Sequence, residues 1–234
     1  MPSLLPEFLR EYNFSDGVLE QLSDLIITNL ERDLATLSDR GISQAVIDNI
    51  KLLREDFGDT PSDEEAIGKI GVAVSAKENA RDTLLLAARR LRTAAQNVFG
   101  EDSARYKRFG FDKMDKLIDD KLSRALRKMR RVGGLLQPQL NDEGITPIFL
   151  NELGLLNEAF VTALDNIDIA EDNRIVFTEA RAEKGNKLYR EVARAANIGK
   201  DAFFSINEAD YNDYVIQNFV ERKARKKPEG EPEG

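Results

Sequence analysis

One stretch of this chain occurs twice. Residues 37–57 align without a gap on residues 140–160, and eight of the 21 paired positions are identical. A second match joins residues 99–109 to residues 204–214 at a slightly larger offset. Because a repeated unit must form the same elements in each copy, this pattern constrains the architecture more than any other feature does. It predicts two related units in tandem.

Apolar residues recur three or four positions apart along almost the whole chain. Early in the sequence this stripe passes through Leu19, Leu22, Ile26 and Leu30, directly after a good N-cap residue, Ser15. Charged residues make up 32% of the chain and Trp is absent, a balance typical of amphipathic helices with solvated outer faces. We therefore expect an all-α helical bundle of about seven to nine helices, built from two tandem units related by a pseudo-two-fold duplication.

The sequence divides into four segments. They are an apolar N-terminal segment at 1–14, a first helical repeat at 15–118, a second at 119–220 and a charged tail at 221–234. We expect the two repeats to share one core, and the tail, which lacks apolar periodicity, to be disordered. The N-terminal segment either covers the bundle, which we favour, or docks on a partner or a second copy.

The second repeat carries two further local predictions. The pair Gly133-Gly134, followed by Pro138, predicts a kink or an early end of the helix that begins near Asp120. Thr146-Pro147 is a good helix start. The helix that opens there is expected to end near Leu164, before another helix begins at about Asp172.

Composition excludes several kinds of chemistry. With no Cys and no His, the chain has no disulfide, no thiolate nucleophile and no imidazole for metal binding or proton transfer. No run approaches the roughly 20 apolar residues of a membrane span, and the N-terminus does not read as a secretory signal. We therefore expect a cytoplasmic protein. The net charge of −8 argues against broad binding to nucleic acid.

Several carboxylate clusters could in principle bind a hard cation or act in acid–base catalysis. They are Glu64-Glu65, Asp119-Asp120 and Asp168 with Glu171-Asp172. Each lies at or near a predicted helix start, where acidic side chains complement the helix dipole. We therefore assign them a structural role and expect no catalytic residues, no metal site and no cofactor.

Residues 121–131 form the most distinctive predicted surface. At 100° per residue, six cations share one arc of the helix and apolar residues share the other. The cations are Lys121, Arg124, Arg127, Lys128, Arg130 and Arg131. Lys121, Arg124, Arg127, Lys128 and Arg131 are our candidate contacts for an anionic partner. The alternative is that this face is only solvated or lies beside the acidic helices of the same chain.

Two more cations, Lys77 and Arg81, fall on the apolar seam of the predicted long helix at 67–98. They either extend past their apolar neighbours to solvent or meet carboxylates inside the bundle. The sequence favours the first arrangement, because a charged side chain is rarely buried without a partner.

Residues 99–107, which read Phe-Gly-Glu-Asp-Ser-Ala-Arg-Tyr-Lys, follow a long predicted helix in a duplicated chain. In this respect the protein resembles uncharacterised all-helical bacterial proteins of similar length. The resemblance implies a bacterial, non-enzymatic helical protein, and it carries over no activity or site residue.

The sequence therefore favours a non-catalytic protein that serves as a protein–protein interaction or scaffold module, with an unidentified protein as its partner. One alternative is a binder of nucleic acid or of an anionic surface through residues 121–131. A second alternative is an enzyme that uses neither His nor Cys. Assembly into a homo-oligomer stays open.

Overall fold

The computed structural model describes residues 9–225 of the chain. The beginning of the apolar N-terminal segment and most of the tail that we expect to be disordered lie outside this range. The helices are α1 (Asp16–Arg32), α2 (Leu34–Leu37), α3 (Gln44–Gly58), α4 (Asp63–Phe99), α5 (Ala104–Phe109), α6 (Asp119–Leu140), α7 (Pro147–Phe203), α8 (Glu208–Asp213) and α9 (Ile216–Arg225). The described residues include no strand, so the all-α prediction is confirmed.

Both copies of the repeated stretch make the same turn. In the first copy a 3-10 turn follows Leu37, and the N–H of Ile42 donates to the Leu37 carbonyl at 3.2 Å. The second copy has the equivalent hydrogen bond at the same length. Gly41 and Gly144 allow the turn because their φ values, +90° and +75°, lie in the left-handed region that favours glycine. The duplication itself stays a prediction.

The chain forms two compact units, which do not follow the predicted repeats. Unit 1 comprises the described parts of residues 1–63 and 175–234, and unit 2 comprises residues 64–174. The first predicted repeat supplies α1 to α3 to unit 1 and almost all of α4, with α5, to unit 2. The second supplies α6 and the first part of α7 to unit 2 and its remaining helices to unit 1. The structure therefore has two cores, whereas the sequence led us to expect one.

The two cores are built in the same way. In unit 1, α1 and α3 pack against the end of α7, with Leu19, Ile50, Phe57 and Leu188 fully buried. In unit 2, α6 and the beginning of α7 pack against the end of α4, and Phe160 is fully buried in the position that Phe57 holds in the aligned stretch. Burial of these apolar faces is the main stabilising contribution in each unit.

Helix α7 runs without interruption for 57 residues, so the expected break between about 164 and 172 is wrong. The first copy contains Gly58 and Pro61 at this place, whereas the aligned part of the second copy contains neither residue type. Without a helix breaker, the backbone hydrogen bonding simply continues.

Helix α6 also continues past the point where we expected a kink or an early end, through Pro138 to Leu140. Gly133 is buried against Leu91 and Leu150, so its missing side chain serves helix packing. Gly134, whose carbonyl loses its helical donor to Pro138, is exposed and can be hydrated instead.

The described part of the N-terminal segment packs on unit 1, as we favoured. Tyr12 is only 6% exposed and joins the core of unit 1, with Phe14 packed beside it. Asn186 on α7 fixes the backbone of this segment, because its side chain accepts from the N–H of Glu11 and donates to the carbonyl of Leu9, both at 2.8 Å.

Candidate functional site

Helix α6 presents its basic side chains to solvent. Leu122, Leu126 and Met129 are at most 1% exposed and belong to the core of unit 2. The six cations of residues 121–131 are all exposed. The predicted division of this helix into an apolar and a basic face is therefore present in the structure. We call the six cations the basic face of α6.

Most of these cations have no carboxylate partner among residues 9–225. Arg124 forms an ion pair with Asp120 at 3.5 Å, but both side chains are 79% exposed and such a pair contributes little to stability. Arg130 donates from Nε to the Leu150 carbonyl at 3.0 Å. The other four cations form no ion pair with any described residue. An anion that approaches these four cations would therefore compete with no internal counterion among the described residues.

A groove lies between α6 and the beginning of α7. Its cavity measures about 360 Å³, and the side chains of Arg127 and Arg130 form part of its wall. Leu126 and Leu153, each 1% exposed, line its apolar part. Asn157, which is 5% exposed, lines it as well. The groove therefore combines guanidinium groups, an amide and buried apolar surface.

A second depression of about 390 Å³ continues along the same two helices. It shares Arg127 and Arg130 with the first and adds Arg131 and Asn151. Because Arg127 and Arg130 line both depressions, the two depressions adjoin each other at these arginines. We call both depressions together the α6/α7 groove.

The structure brings only two of the five candidate contacts, Arg127 and Arg131, to this groove. Lys121, Arg124 and Lys128 lie on the basic face but outside the groove lining.

Sequence reasoning did not select Arg130, Gly154 or Asn157, which all line the groove. Arg130 belongs to the predicted basic arc, but nothing in the sequence marked it as different from its neighbours. Gly154 and Asn157 belong to no motif. They could have been found from the alignment of the repeated stretch, which places these two uncharged residues opposite the cations Lys51 and Arg54.

Unit 1 contains an ion cluster that the sequence did not reveal. The carboxylate of Asp16, at the start of α1, accepts five hydrogen bonds of 2.8–3.1 Å from Arg10, Tyr12 and Arg181. Burial alone would raise the pKa of Asp16, but the hydrogen bonds from these residues outweigh it and lower the pKa to about 2. The cluster ties the N-terminal segment and α7 to α1.

Unit 2 has a related cluster at the start of α6. Arg81 donates to Asp119 at 2.5 Å and to the Leu117 carbonyl at 2.7 Å, while the Lys77 ammonium lies 3.3 Å from Asp119. The Lys77 and Arg81 side chains are only 14% and 16% exposed. Our preferred prediction, that these cations extend to solvent, is therefore wrong: Asp119 pairs with both of them, and Glu78 also pairs with Lys77, at 2.6 Å.

The other predicted carboxylate clusters do not come together as a metal site. Glu64 and Glu65 lie in the first turn of α4, as expected for residues that complement a helix dipole. Asp168, Glu171 and Asp172 are exposed inside α7 rather than at a helix start. Within residues 9–225, no group of three acidic side chains is arranged to hold a metal ion.

Comparison of this chain with protein families, with curated proteins and with solved structures finds no match. The resemblance to bacterial helical proteins therefore stays an expectation. Among the described helices, none combines the length and the apolar character that crossing a membrane requires. The geometry of the α6/α7 groove and of the basic face thus carries the functional interpretation.

Proposed function

We propose that this protein is a non-catalytic binding module and that it docks an acidic segment of a partner protein on the basic face of α6. The observation that carries the proposal is that Lys121, Arg127, Lys128 and Arg131 are exposed and form no ion pair with the described residues. Complementary charge gives such a surface both specificity and a fast association rate.

Apolar side chains beside the cations favour a protein partner over nucleic acid. Leu155 lies one helical turn after Asn151 and is 57% exposed. Leu135 lies one turn after Arg131 and is 61% exposed. Ile148, near the start of α7, is 81% exposed. Exposed apolar residues on the two helices that form the groove suit a peptide that alternates acidic and apolar residues. A phosphate backbone would gain little from these leucine and isoleucine side chains.

The non-catalytic part of the proposal rests on where the perturbed carboxylates lie. Asp16 is enclosed by Arg10, Tyr12 and Arg181, and Asp33 accepts from Arg32 and from the Tyr214 hydroxyl at 2.7–2.9 Å. Burial alone would raise the pKa of Asp33, but these hydrogen bonds lower it. Both groups thus hold helices together and line neither part of the α6/α7 groove. A cytoplasmic, bacterial setting is the prediction that accompanies this function.

The proposal can be tested with three fluorescein-labelled probes: a peptide of Asp-Ser-Leu repeats, a peptide of Asp-Ser-Ser repeats and a single-stranded DNA. The test variant carries Arg124→Glu, Arg127→Glu, Lys128→Glu and Arg131→Glu. The intact chain should bind the Asp-Ser-Leu peptide in fluorescence anisotropy, and the variant should weaken binding by at least about tenfold, since it replaces attraction by repulsion.

A matched control variant separates the site from net charge. Lys187→Glu, Arg190→Glu, Arg194→Glu and Arg222→Glu change the charge by the same amount at exposed positions of unit 1. This control should bind the peptide within about twofold of the intact chain. Equal losses in both variants would contradict the proposal. Tighter binding of the DNA, lost only in the α6 variant, would instead support the nucleic-acid alternative.

A further inference from the structure

The lining of the α6/α7 groove includes a buried polar group that has no partner in the described part of the chain. Asn157 is only 5% exposed, and its Oδ1 atom accepts no hydrogen bond from the described residues. A buried carbonyl oxygen left without a donor destabilises a protein. Asn157 thus contributes a buried amide, and no carboxylate, to the lining of the groove.

The neighbouring Arg130 is held in place by the backbone of α7. Its Nε donates to the Leu150 carbonyl at 3.0 Å, which leaves the Nη groups for other acceptors. The guanidinium lies against Gly154, where an added Cβ atom would come within 2.8 Å of the Arg130 Cζ. Only glycine at position 154 therefore permits this placement of Arg130.

On the corresponding surface of unit 1, the cations form ion pairs with carboxylates of the same chain. On the facing helices α1 and α3, Arg54 pairs with Asp24 at 2.9 Å and lies 3.7 Å from Glu20. Lys51 pairs with Glu31 at 2.6 Å. In unit 1 each cation of this helix pair is thus neutralised inside the chain.

In unit 2, at an offset of 103 residues, the acidic side chains of this pattern are missing. Ser123, Arg127 and Gly134 stand where α1 has Glu20, Asp24 and Glu31. Gly154 and Asn157 replace Lys51 and Arg54. The groove therefore has guanidinium groups on α6, but it has no carboxylate at the positions aligned with the three acidic residues of α1. Glu158 lines one side of the groove and is exposed.

We infer that the α6/α7 groove binds one acidic side chain of the docked segment, with its carboxylate on Arg127 and Arg130. This inference rests on the function proposed above and specifies its binding pocket. The apolar wall formed by Leu126 and Leu153 receives the adjacent apolar side chain of the segment. Glu158 repels a second carboxylate, which limits the pocket to one acidic residue.

Two variants test the pocket without reversing any charge on α6. Gly154→Ala displaces the Arg130 guanidinium, while alanine raises helix propensity, so the variant should stay folded. Asn157→Asp supplies a carboxylate inside the groove, which would pair with the arginines of α6 as the carboxylates of α1 pair with the cations of α3 in unit 1. Each should weaken binding of the Asp-Ser-Leu peptide by about tenfold, the usual effect of losing one charge-assisted hydrogen-bonded pair.

Gly68→Ala is the matched control for the glycine variant, since a Cβ at Gly68 meets no atom within 4 Å. It should bind the peptide as the intact chain does. In nuclear magnetic resonance spectra, the Arg130 Nε–H signal should shift on peptide addition to the intact chain and not on addition to Gly154→Ala.

Failure of the pocket and failure of the proposed function give different results. If charge reversal on α6 abolishes binding but Gly154→Ala and Asn157→Asp keep it within twofold, the pocket assignment is overturned and the docking surface stands. If charge reversal itself has no effect, both are overturned. A phosphoserine peptide that binds more tightly than the aspartate peptide would overturn the assignment of a carboxylate as the bound group.

Discussion

Replacing Asp16 by Asn should destabilise unit 1 by about 2–3 kcal/mol. Asp16 and Arg181 are each only 14% exposed in their side chains, and five hydrogen bonds converge on this carboxylate. Breaking a fully buried ion pair costs about 3–5 kcal/mol, and an exposed pair contributes about 0–1 kcal/mol. Partial exposure places Asp16 between these limits. Urea unfolding at neutral pH measures the difference.

The pH dependence gives an independent check of this magnitude. The pKa of Asp16 falls from its ordinary value of 3.8 to about 2, which corresponds to about 2 kcal/mol of stability. Because the folded-state pKa is lowered, this stability is fully present above about pH 4 and is lost as the pH falls through about 2. The gap between the intact chain and Asp16→Asn should therefore close between these two values.

An exposed pair serves as the control. Arg40 and Asp201 form an ion pair in which the Asp201 side chain is 77% exposed, so Asp201→Asn should change stability by less than about 0.5 kcal/mol. A loss below about 0.5 kcal/mol for Asp16→Asn, or a gap that persists undiminished at pH 2, would refute this account of the cluster.

Three further substitutions test the packing. Ser123→Ala should stabilise unit 2 by about 1 kcal/mol, because the buried Ser123 hydroxyl has no partner among residues 9–225. Chemical denaturation measures this change, and a lower free energy of unfolding in the variant would contradict it. Gly199→Ala should destabilise unit 1 by about 1–3 kcal/mol, since its Cβ would run into the buried ring of Tyr214. Gly71→Ala, at a site with open space, should instead raise the thermal midpoint slightly, and equal responses at the two glycines would contradict the packing described.

Local signals predicted much of the fold. Ser15 caps α1 as expected, with its hydroxyl accepting from the Val18 N–H, and Gly41 ends the following turn in the left-handed region. These positions could be predicted because capping and positive φ depend on the residue itself. The continuity of α7 was missed because the break expected between about 164 and 172 rested on no helix breaker: this stretch contains neither Gly nor Pro.

The division into two units depends on tertiary packing, which a periodic pattern does not specify. A stripe of leucines identifies the buried face of α4 or α7 but not the helix that covers it. For the same reason, Asp119 could not be assigned as the partner of Lys77 and Arg81, which lie about 40 positions away along the chain.

The sequence predicted the basic face of α6 but not the α6/α7 groove beside it. Exposure of the basic face follows from helical periodicity, so the six cations could be read from the sequence. The groove required knowledge that α6 and the start of α7 pack side by side. Even so, the alignment places the neutral Asn157 opposite Arg54, so the ion pair that Arg54 forms with Asp24 in unit 1 has no counterpart at this position.

The central claim is that the anionic segment docks on α6 and the start of α7. Backbone amide shift mapping of the full chain with the Asp-Ser-Leu peptide tests it most directly. We expect shifts within residues 121–134 and 147–161 that weaken as salt is raised, with unit 1 unchanged. An absence of shifts, or shifts confined to unit 1, would contradict the claim.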